Sequence, residues 1–68
     1  MSARDREAQR TALAAAVAGT DPPAEAVARL AISLGPSTEG CALAVRYVRM
    51  APDGYDRRDV DDVRADCP

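Results

Sequence analysis

DPPAEAVARLAISLGP, residues 21–36, decides how this chain is read. Asp21 is a helix-capping residue type, and proline at 22 and 23 suits a first helical turn, where the missing N–H costs nothing. Val27, Leu30, Ala31 and Leu34 then recur at i, i+3, i+4 and i+7, and Ala28 and Ile32 widen that face. Gly35 stands where a helix commonly ends in a residue of positive φ, and Pro36 blocks continuation. The pattern predicts a helix over about residues 22–34 with one apolar face.

On its N-terminal side, residues 3–18 read as a second helix. Ser2 with Asp5 makes a capping-box pattern, the alanines of 12–18 are the strongest helix formers, and Gly19 stops the run. Leu13, Ala16 and Val17, with Ala12 beside them, form the expected buried face, a thin stripe of mostly small side chains. Asp5 and Glu7 precede the short alanine-rich run 11–19, so it is read as helix and not as the apolar region of an export signal.

On the C-terminal side, residues 38–50 admit two readings. As a helix capped by Ser37 or Thr38, Cys41, Leu43, Ala44, Val45, Tyr47, Val48 and Met50 cover more than half the circumference, leaving Ala42, Arg46 and Arg49 outside. As a strand, Cys41, Leu43, Val45 and Tyr47 alternate on one face, and Val and Tyr favour it. The helix is preferred. Ala51-Pro52-Asp53-Gly54 is a turn signal, which on the strand reading would start a hairpin. Residues 57–65 read as a short helix with Asp56 as cap and Val60 and Val63 as its anchors, followed by a frayed acidic end at about 64–68. The expected fold is mainly α, a small single domain over 1–68 of three to four short helices. A C-terminal β-hairpin around 43–58 is the alternative.

Composition limits what such a domain can do. Of 68 residues, fifteen are alanine, while Leu, Ile and Val number eleven and Phe is absent. That is about a sixth of the chain, under the roughly 20% at which a core becomes doubtful. Scaffolds this small usually gain a disulfide, a metal or a partner subunit, so a partner chain or self-association is expected. The net charge is only -2, unevenly spread: residues 53–68 hold six Asp against three Arg. That acidic end argues against nonspecific nucleic-acid binding through it. Cys41 and Cys67 are too few for a disulfide framework and too far apart for a metal knuckle. The leading expectation is a cytoplasmic chain with two reduced thiols, no membrane association and no cofactor; a Cys41–Cys67 bridge, closing a loop of about 25 residues, is the alternative.

Chemistry is sparse. With no histidine the usual general base and metal ligand are missing, and no phosphate loop or nucleophile elbow is present. Asp56, Asp59, Asp61, Asp62 and Asp66 lack the spacing of a calcium loop and read as a solvated acidic face. No catalytic or metal site is therefore expected, and the chain is not read as an enzyme.

Residues 27–46 resemble a helix-turn-helix in outline. Ala31 is the small residue of the first helix, Gly35 follows four later in the turn, and Cys41 falls six beyond, where an apolar residue packs the second helix onto the first. The resemblance implies DNA binding through the second helix, yet Glu39 near its start would face phosphates, and only Arg46 and Arg49 offer anion or nucleic-acid contacts. The preferred reading of that arginine pair is a solvated edge, open to pairing with the aspartates of 56–66. The leading expectation is a non-enzymatic interaction module, a small regulatory, accessory or inhibitory subunit touching another protein chain, or a second copy, through Val27, Leu30, Leu34, Leu43 and Tyr47. A small helix-turn-helix regulator is second, and a subunit lending arginines to a shared active site third.

Overall fold

The structure, a computed structural model, describes residues 3–68. Four helices follow in order: α1 (Ala3–Val17), α2 (Ala24–Leu34), α3 (Thr38–Met50) and α4 (Arg57–Ala65). The mainly-α expectation holds. The hairpin around 43–58 does not, because among the described residues there is no strand. Helical spacing wins over the β preference of Val and Tyr because it puts Ala44 and Tyr47 on one buried side, where alternation would have separated them.

The helix boundaries follow local chemistry. α2 begins at Ala24, two residues later than expected. Proline disfavours a helical conformation in the residue before it, which excludes Pro22, and Pro23 itself is extended (φ -61°, ψ 137°). The Pro23 carbonyl accepts the N–H groups of Ala26 and Val27, and no side chain caps this end, so Asp21 does not serve as the cap. Gly35 ends the helix at φ 67°, the left-handed region that favours glycine, and its N–H returns to the Ala31 carbonyl. α3 starts on the expected cap: Gly40 N–H donates to Ser37 Oγ over 3.1 Å. Gly40 also lies against the Gly35 carbonyl, leaving no room there for a Cβ. For α4 the cap position is Asp56 as expected, but its side chain makes no capping bond. Ser2, the expected cap of α1, lies outside the described residues.

The core is small. Val27, Ala28 and Ala31 of α2, Ala44 and Tyr47 of α3 and Val60 of α4 form it, with Leu30 also buried. Half of the cluster is alanine, so Tyr47, the largest fully buried side chain, fills much of the space. Its hydroxyl accepts the Asp56 N–H over 3.0 Å, linking the centre of the core to the start of α4. α2, α3 and α4 pack on one another, whereas among the described residues α1 packs on α2 alone. Among residues 4–17 of α1, only Leu13 and Val17 are half-buried; Ala12 and Ala16, expected on its inner face, are exposed. α3 is likewise less buried than expected, with Val45 and Met50 on its outer surface.

The cysteines correct the reduced-thiol expectation: Cys41 and Cys67 are joined in a disulfide, their Cα atoms 6.0 Å apart. The bridge spans a sequence separation of 26 residues and bonds the segment after α4 to the first turns of α3. Closing a loop of that size removes about 3.5 kcal/mol of conformational freedom from the unfolded chain. Fully burying Val60 contributes about 1.5–3 kcal/mol. For α4, therefore, the covalent bond weighs at least as much as its one fully buried side chain.

Two substitutions test this description by urea unfolding. Tyr47→Phe is expected to cost about 1 kcal/mol, through the Asp56 N–H left without its acceptor, while Tyr47→Ala costs about 3–5 kcal/mol through the cavity. Equal losses for the two would show that the hydroxyl and not the ring volume matters. Gly40→Ala is expected to destabilise on balance, because moving the Gly35 backbone costs more than the roughly 1 kcal/mol that helix propensity would return.

Candidate interaction surface

Folding divides the five expected partner-contact residues. Val27, Leu30 and Tyr47 are buried within the chain's own core, where a partner reaches them only if helices separate. Leu34 and Leu43 are half-buried and keep part of their surface in solvent. The apolar face of α2 is thus used mainly inside the molecule, a result that periodicity alone does not distinguish from an external contact.

The apolar surface that remains lies elsewhere. Ile32, Val45 and Met50 are 40%, 42% and 40% exposed, and Tyr55 is fully exposed. Ile32 opens into a shallow cleft of about 210 Å³ between α1 and α2, lined also by Gln9, Leu13, Arg29 and Ser33. Polar contacts rim it: Arg10 Nε donates to Ser33 Oγ over 3.3 Å, and Arg29 pairs with Glu25 over 2.6 Å. A second cleft of about 360 Å³ lies between the start of α2 and the α3–α4 loop, with Tyr47, Tyr55, Glu25 and Asp56 in its lining. Tyr55 directly precedes Asp56, the expected cap of α4, in a turn, and no motif in the sequence marks its exposure.

Arg46 and Arg49 both stand exposed on α3, three residues apart. They form the solvated edge read from the sequence, and among the described residues no pairing with the aspartates of 56–66 forms. Asp61 is instead held within α4, by Arg57 Nε at 3.1 Å and Arg64 at 3.2 Å. Arg57 also donates to the Pro52 carbonyl over 2.7 Å. Asp59, Asp62 and Asp66 are exposed, giving α4 an acidic outer face.

No family model, no curated protein and no solved structure matches this chain. Its surface must therefore be read from its own residues. Among the described residues no three His, Cys, Asp or Glu side chains are grouped to hold a metal ion, and no helix is long and apolar enough to cross a membrane.

The hydrogen bond from Arg57, with burial opposing it and Arg64 adding to it, holds the Asp61 carboxyl below its ordinary value of 3.8. A lowered folded-state value means that the contribution is present above 3.8 and is lost as pH falls through the folded value. Asp61→Asn is accordingly expected to lower the melting temperature at neutral pH, with the gap to the unaltered chain closing in strong acid. A gap independent of pH would assign the effect to packing.

Proposed function

We propose that this chain is a non-enzymatic protein-interaction module, a small regulatory, accessory or inhibitory subunit that acts by helix packing. One observation carries the reading: among the described residues α1 rests on α2 alone through the half-buried Leu13 and Val17, and Ile32 remains open in the cleft beside them. A helix of this length is marginal on its own in water and gains most of its stability from packing an apolar face. A helix from another chain, or from a second copy, laid into that cleft would cover Leu13 and Ile32 and fix α1 in place. The thin alanine-rich core supports the same reading.

The position of Gly35 at positive φ between α2 and α3, and the unpaired exposure of Arg46 and Arg49, favour a helix-turn-helix regulator as the second reading. It predicts salt-sensitive binding to duplex DNA, weakened by Arg46→Ala and Arg49→Ala. Absence of binding to a mixed duplex pool at low salt removes it. A cytoplasmic setting belongs to both readings and makes the Cys41–Cys67 bond one of the transient, redox-responsive kind found there. Thiols alkylated at the moment of cell lysis should then include a reduced fraction; a chain oxidised throughout would contradict that setting.

Native mass spectrometry across a concentration series, on the purified chain and on the chain isolated from its own cells, tests the leading reading. The expected result is a dimer or a stoichiometric complex that Ile32→Asp disperses while helical content is kept. A monomer under every condition, or a complex indifferent to Ile32→Asp, would contradict it.

A further inference from the structure

We propose that the Cys41–Cys67 disulfide is a redox-opened latch, holding the C-terminal half of α4 against α3 when oxidised and releasing residues 60–68 when reduced. The inference stands whether or not the interaction reading does, because it concerns only how α4 is held. α4 meets the rest of the molecule through the buried Val60 and the half-buried Val63. Its ion pairs, Arg57 with Asp61 and Arg64 with Asp61, lie within the helix itself and fasten it to nothing. Among the described residues no side-chain hydrogen bond or ion pair joins 58–68 to α2 or α3. Only the start of α4 is tied down otherwise, by the Asp56 N–H on the Tyr47 hydroxyl and by Arg57 on the Pro52 carbonyl. The disulfide is the one strong attachment at its other end.

Two short apolar side chains are a weak hold for a nine-residue helix whose remaining residues are polar or small. With the bond intact, the far end of α4 cannot leave α3. With it broken, α4 can turn about the loop of residues 51–56 and melt from Val60 onward. Departure of Val60 and Val63 uncovers Ala44 and Val48, next to Val45, which is already exposed. An apolar strip on α3 then appears only in the reduced state.

Both cysteines are half-buried, so a small thiol can reach the bond. An external dithiol supplies the reducing equivalents. Its thiolate attacks one sulfur, the Sγ–Sγ bond breaks, and the other sulfur leaves as a thiolate that takes up a proton. The second thiol of the dithiol then displaces the protein sulfur from the mixed disulfide. Two electrons and two protons pass to the protein, and the dithiol becomes a disulfide.

Cα chemical shifts of the full chain, recorded oxidised and then reduced with dithiothreitol, decide the matter. The expected result is loss of helical shifts over residues 60–65 with those of α2 and α3 retained. A Cys41→Ser/Cys67→Ser chain without reductant should give the reduced pattern. Helical shifts that persist through Ala65 in both would overturn the latch, since packing alone would then hold α4. Collapse of the whole chain to coil would overturn it as well, since the bond would then be a staple for the entire fold.

Discussion

Closing the chain between Cys41 and Cys67 restricts the unfolded state, and much of the fold depends on that restriction. Without phenylalanine or tryptophan, and with only eleven Leu, Ile and Val, the chain cannot bury much apolar area. Val27, Tyr47 and Val60 are its largest fully buried side chains. α4 belongs to the core through one of them. The bond brings α4 to α3, Tyr47 receives the start of α4 through the Asp56 N–H, and Val60 then closes the core over Val27 and Ala44. α1 lies outside this arrangement and, among the described residues, rests on α2 only.

The helices were legible where punctuation and periodicity agreed. α2 shows both, from the prolines to Gly35, and it forms as read apart from its first turn. That turn differs from the periodic pattern because two consecutive prolines act on each other: Pro23 holds Pro22 out of the helix and becomes the boundary itself. Ser37 signalled the start of α3, yet Val45 and Tyr47 suit a strand as well as a helix, and only tertiary packing of Tyr47 resolves that ambiguity. The disulfide was not legible from spacing. Two cysteines 26 residues apart carry no signature, and their meeting requires α4 to fold back along α3.

The surface was harder to read than the fold. Periodicity identifies an apolar face without saying what covers it, so Val27, Leu30 and Tyr47 could serve a partner or the chain's own core, and they serve the core. Ile32, at the edge of the α2 face, is the residue left open. Charge behaves similarly. Residues 57, 61 and 64 carry opposite charges at helical spacing and satisfy one another within α4, which leaves Arg46 and Arg49 on α3 facing solvent.

The covalent bond supplies stability that the core lacks. Urea unfolding of the oxidised chain and of the reduced chain, followed by far-ultraviolet circular dichroism, measures that contribution directly. A reduced chain that keeps α2 and α3 folded in water but unfolds at a clearly lower midpoint, by an amount near the loop-closure contribution of about 3.5 kcal/mol, is the predicted result. Coincident unfolding curves would contradict it, showing that the alanine-rich helices hold together without the bond.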